Sequence, residues 1–166
     1  MAQCANGSPY NDQTGKLNKK ALEAILFDTF KAVKEQNLAD AIIFSDLIER
    51  DVVFSGRGQR QAKWDGVARS PRIKSASGQL STEFNWSQSV AAASLLLILY
   101  DNQGQFLFKG AGGIEVTREI DPSSGGGRFV RRKQIFGNQS HVEEGVALAL
   151  HPLVPLEGYI DHSAKQ

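Results

Sequence analysis

A single cysteine, Cys4, excludes an intramolecular disulfide and any zinc site built on two or four thiolates, so no cross-link of either kind staples this fold. Long apolar runs are absent as well. The longest, Ala91 to Leu99, is about half of the ~20 residues a membrane helix needs, and residues 1 to 16 lack the apolar stretch of a signal peptide. Charge of one sign is missing too, since a net charge of +1 argues against a polyanion binder of the strongly basic kind. Histidine is scarce: His141, His151 and His162 stand far apart, no H-E-x-x-H occurs, and no metal-ligand spacing results. There is no G-x-S-x-G elbow and no G-K-[ST], which removes the commonest hydrolase and phosphate-loop signatures. Cys4 stands in a polar lead without a base to make it a thiolate, so it is a poor nucleophile. The reading is of a protein that is not an enzyme and uses no cofactor.

What is present belongs to an ordinary globular chain. At 166 residues, with 41% hydrophobic and 22% charged, it has the length of one domain, and such a domain buries roughly 70% of its unfolded surface. Residues 1–16 form a polar lead expected to be disordered, 17–156 a single α/β domain, and 157–166 a frayed tail.

The centre of the chain is Ala91 to Val116, read as two strands around Asp101-Asn102-Gln103-Gly104, where the acid, the amide and the glycine all favour a turn. Ser94 to Tyr100 is apolar enough for a strand in the middle of a sheet. Before it, Leu22, Ile25, Leu26, Phe30 and Val33 recur at steps of three and four, which predicts an amphipathic helix over 17–36 with Asn37 as its left-handed stop. Asp40 to Phe54 fits either a helical stripe or strand; its β-branched and aromatic content favours a strand or a pair of strand segments. Residues 56–79 are read as a long connection or hairpin excursion with a turn at Trp64-Asp65-Gly66 and a short strand at 72–74. Leu80, Thr82, Phe84 and Trp86 alternate as in an edge or loop strand, and Asp121 to Gly127 as a flexible loop. Ser140 and Glu143 have the spacing of a capping box, opening a helix that buries Val142, Val146, Ala149 and Leu150 and ends before Pro152. The fold class expected is α+β: a mostly antiparallel sheet with two amphipathic helices packed on it as a single pair of layers.

Three features invite a functional reading. The group Gly110-Ala111-Gly112-Gly113 lacks the spacing of a dinucleotide fingerprint, and a bulge or strand bend is preferred to a phosphate cradle. Arg57, Arg60, Lys63, Trp64 and Arg72 make a basic strip with an aromatic, suited to nucleic acid or an anionic surface, although a solvated loop is the simpler reading. A second run, Arg128, Arg131, Arg132 and Lys133, strengthens that reading only if the fold brings the two together. Cys4, followed by Ala-Asn-Gly-Ser-Pro, is a lipidation candidate with a flexible tether should a leader precede it, although Met1-Ala2-Gln3 is no lipobox.

Leu38-Ala39-Asp40-Ala41-Ile42-Ile43 after a long helix, the hairpin LLLILYDNQGQFLFKGAGG, and a helix closing on His151-Pro152-Leu153-Val154-Pro155 together resemble small Gram-negative envelope lipoproteins of the curli-transporter and TolB amino-terminal-like fold. The resemblance covers about residues 20–155. The family's usual first strand and helix have no counterpart before Leu17. It implies location in the periplasm or at the outer membrane, and a protein partner at the envelope or self-association. It carries over no catalytic residue.

Overall fold

The computed structural model describes residues 9, 11, 13–14, 16–37, 39–56, 58–74, 80–123 and 126–156. Cys4, Arg57, Leu38, His162, the tail expected over 157–166 and most of the lead expected over 1–16 lie outside the described residues. In chain order the elements are α1 (Lys19–Gln36), β1 (Ala41–Val52), β2 (Ala62–Trp64), β3 (Val67–Arg69), β4 (Val90–Asp101), β5 (Phe106–Val116), β6 (Arg118–Asp121), β7 (Arg128–Arg131) and α2 (Gln139–Leu150). β1, β4 and β5 form one sheet with β4 central; β2–β3 and β6–β7 are antiparallel hairpins. This is the α+β arrangement expected, with mostly antiparallel strands and helices packed on sheet.

β4 and β5 are the hairpin anticipated from the turn chemistry. The Asp101 carboxylate accepts the amides of Gln103 and Gln105 at 2.8 and 2.7 Å, and the Gly104 amide donates to the Asp101 carbonyl at 3.1 Å. The ambiguous stretch after α1 is one strand: Ile42, Phe44 and Ile48 of β1 are half-buried, while Ile43 and Leu47, pointing the other way, are exposed.

By internal contacts the chain divides into two compact units, Met1–Ile43 with Leu99–Phe108, and Phe44–Ile98 with Lys109–Gln166. In the first, α1 is bounded by two asparagines. The Asn18 side chain accepts the Ala21 amide at 3.3 Å, and Asn37 takes the left-handed conformation, φ 47 and ψ 45. Leu22, Ile25, Leu26, Phe30 and Val33 are its half-buried face, with Phe30 edge-on to Tyr100 at 5.4 Å between ring centroids. No residue of α1 is fully buried.

The second unit holds the core. Val52, Phe54, Ala62, Trp64, Val67, Val90, Ala92 and Val116 form one buried cluster, with Leu148 of α2 packed against it. The connection after β1 is a hairpin after all: Asp65 and Gly66 both have positive φ, +38 and +85, as a two-residue turn between right-twisted strands requires. Its tip is fastened to β5, where the Gly113 amide donates to the Asp65 carbonyl at 2.9 Å. α2 sits close on the same strand: a Cβ at Gly112 would run into the Gly145 carbonyl oxygen, and one at Gly145 would lie 2.8 Å from Ile114 Cγ1. The strand glycines are therefore there to let a second backbone in, as glycine inside a strand often is.

Three local expectations are corrected. Residues 80–88 are two successive turns, not a strand, because Ser81 Oγ and Asn85 Oδ1 accept the amides of Glu83 and Ser87 at 3.1 and 3.0 Å and so compete with ladder pairing. The capping box does not form. Asn138 is the N-cap, the Ser140 hydroxyl donates to its side chain at 2.8 Å, and Glu143 accepts from the Gln139 side chain at 2.7 Å instead of a backbone amide. Of the face expected for α2, Ala149 is buried and Val142 and Leu150 are half-buried, whereas Val146 is exposed and Gly145 is buried in its stead.

Candidate functional site

The basic strip is dispersed by the fold. Lys63 points outward from β2, in the exposed position between buried Ala62 and Trp64. Trp64 is only 9% exposed and belongs to the core, its Nε1 without a hydrogen-bond partner. Arg60 does meet an aromatic, but a different one: its guanidinium carbon lies 4.6 Å from the centre of the Trp86 ring. Trp86 is edge-on to Phe84 and Phe54, and Phe129 of β7 stacks on Phe54 at 5.9 Å, so this is a packed aromatic group with a cation as its lid. Arg72 is exposed and lies beside β6, where the Ile120 amide donates to its carbonyl at 2.8 Å.

That last pairing answers the question of the two basic runs. Ile73 bridges Ile120 in parallel, and β7 pairs the other way along β6, so the end of the first run and the start of the second are both laid beside one short strand. Lys74 completes the join by an ion pair with Asp121 at 3.0 Å. Hydrogen bonds from the Ser123 hydroxyl, from Lys74 and from the Ser123 amide hold the Asp121 carboxyl well below its ordinary 3.8, at about 2. A carboxyl that binds its proton more weakly folded than unfolded stabilises the fold fully above the unfolded value, and that contribution is lost as pH falls from 3.8 to about 2. Asp121→Asn removes this share of the acid sensitivity. Melting temperature followed from about pH 5 down to pH 2 should fall less steeply in the variant than in the wild type, and parallel curves would contradict the assignment.

Two arginines point inward. Arg69 donates through Nε to the Ile114 carbonyl at 3.0 Å and pairs with Glu144 of α2 at 2.7 Å. Arg132, its side chain 5% exposed, pairs with the Glu115 carboxylate at 2.6 Å and also donates to the Val116 carbonyl at 2.9 Å. His141 Nδ1 lies 3.3 Å from the other oxygen of Glu115 but makes no hydrogen bond. The sequence does not reveal these pairs, because their members stand 17 and 75 residues apart. Each ties β5 or its neighbour to another element, and each carboxylate already faces a cation. No group of three or more metal-binding side chains occurs among the described residues. A groove of about 640 Å³ runs along α2 between Ala147, Leu150, Val154 and Leu156, with Glu143 at its rim.

The surface of the first unit is of another kind. Phe27 is 69% exposed, Ile43 55%, Phe106 59% and Leu107 53%, and none of the described residues of that unit is fully buried. Composition and periodicity pointed to Leu22, Phe30 and their neighbours as the contact face of α1; they gave no sign that Phe27, among Lys20, Glu23 and Lys31, would stand out in solvent.

No family model, no curated protein and no solved structure matches the chain. No helix among the described residues is long and apolar enough to cross a membrane.

Proposed function

We propose that the protein is a non-enzymatic binding or assembly module that meets a macromolecular partner, a protein at the cell envelope or another copy of itself. The observation that carries this reading is the first unit, in which Phe27, Ile43, Phe106 and Leu107 are exposed while no described residue is fully covered. Large apolar side chains left exposed on a unit in which no described residue is buried gain most from burial against something else. The resemblance of the hairpin and flanking helices to envelope lipoproteins of the curli-transporter and TolB amino-terminal-like fold supports the compartment, periplasmic or outer-membrane-associated. A second reading, nucleic-acid or anionic-surface binding by residues 57–74, has the exposed Lys63 and Arg72 in its favour.

The test is capture from envelope and cytosolic fractions with the full chain. A saturable partner is expected from the envelope fraction alone. Phe27→Asp combined with Phe106→Asp should abolish its capture, whereas Leu47→Asp in the second unit should not. Because Phe106 is edge-on to Tyr100 at 6.1 Å, melting temperatures of the variants are measured alongside, and capture lost at an unchanged melting temperature separates loss of contact from loss of fold. Capture of background only, or equal capture by the double variant, would remove the proposal.

A further inference from the structure

We infer that Arg118 and Arg131 form a binding site for a phosphate group at the open end of the β6–β7 hairpin. The register sets these residues directly opposite one another, the first position of β6 against the last of β7. Opposed residues in an antiparallel pair share a face with Cβ atoms ~4.5–5.5 Å apart, so the two arginines leave the hairpin from neighbouring positions on one face and both can reach a single anion. Both arginines are exposed, and neither has a hydrogen bond, ion pair or ring contact among the described residues.

The acids that could neutralise them are directed elsewhere. Glu119 and Asp121 alternate with Arg118 along β6 and so stand on the opposite face, and Asp121 is paired with Lys74. Glu115, the next acid along the chain, is taken by Arg132. Like charges placed opposite in a ladder cost stability, and an anion bound between them relieves that repulsion. Of the oxyanions, a phosphate monoester fits best, because its three terminal oxygens can be shared between two planar donor forks at once. The site lies in the second unit and is independent of the apolar surface proposed above for partner binding.

The experiment titrates the full-length chain with inorganic phosphate and, at matched ionic strength, with chloride, reading melting temperature and calorimetric affinity. Phosphate should stabilise the wild type beyond chloride. Arg118→Gln and Arg131→Gln should each weaken phosphate binding about tenfold or more, the loss of a charge-assisted contact. In phosphate-free buffer both variants should melt no lower than the wild type, since the repulsion is gone. Lys109→Gln, which removes an exposed cation of β5 outside the hairpin, should leave the affinity unchanged. A parallel arm uses vesicles of phosphatidylcholine with and without phosphatidic acid. Retention on phosphatidic acid, lost in both Gln variants, with no response to free phosphate, assigns the phosphate group to a lipid headgroup; response to free phosphate alone assigns it to a soluble ligand. Stabilisation by phosphate no greater than by chloride together with no retention on phosphatidic acid, or equal weakening by Lys109→Gln, overturns the site.

Discussion

Gly112→Ala is expected to cost about 3 kcal/mol or to prevent folding, at the upper end of what overpacking does in a close-packed interior. The added methyl meets the backbone carbonyl of Gly145 and lies 2.9 Å from the Ala149 nitrogen, atoms that no rotamer change can withdraw. Relief would require α2 to move off β5 as a body. Gly145→Ala, on the helix side of the same contact, makes the sharper test because two effects oppose each other there. Helix propensity favours alanine over glycine by roughly 1 kcal/mol, whereas packing puts the new Cβ 2.9 Å from the Gly113 carbonyl oxygen. Packing should win, and denaturant unfolding should show a net loss of stability. Gly137→Ala, where the nearest atoms are the mobile end of Gln134 at 3.2 Å, serves as control and should stay within about 0.5 kcal/mol. A stabilised Gly145→Ala would mean that helix and strand are not in contact as described.

Arg132→Met should be the second large effect. The Glu115 side chain is 11% exposed and would be left without its guanidinium partner, a situation that costs about 3–5 kcal/mol. Truncating both partners is different in kind. The double variant Arg132→Met, Glu115→Leu removes the stranded charge, and such replacements are often neutral or stabilising by about 1–4 kcal/mol. Chemical denaturation of the two single variants and the double should therefore show recovery. If the double variant is as unstable as Arg132→Met, the ion pair is not what makes Arg132 matter, and its hydrogen bond to the Val116 carbonyl takes that role.

Much of this fold could be read from local chemistry. The helix over Lys19–Gln36, its asparagine stop, the β4–β5 hairpin and its acidic turn all depend on residues within a few positions of each other, and each is present. Interactions that depend on distant residues were not legible. Gly112 and Gly145 stand 33 positions apart, and nothing in either neighbourhood signals that one is the counterpart of the other. The strands β6 and β7, of only 4 residues each, are too short and too charged to show periodicity. Leu80 to Trp86 misled in the opposite direction: the alternation is real, but Ser81 and Asn85 fold the backbone onto their own side chains. Of the basic strip, the direction of each side chain was not visible, since Trp64 lies inward and Trp86 receives the cation.

α1 owes both its limits to its own asparagines, Asn18 and Asn37, and buries nothing completely. Its outer residues can therefore be exchanged during evolution with little penalty in folding, while positions 112 and 145 are confined to glycine because each faces backbone of the other's element. Divergent copies of this protein would then vary most along that one helix and keep the strand–helix junction intact.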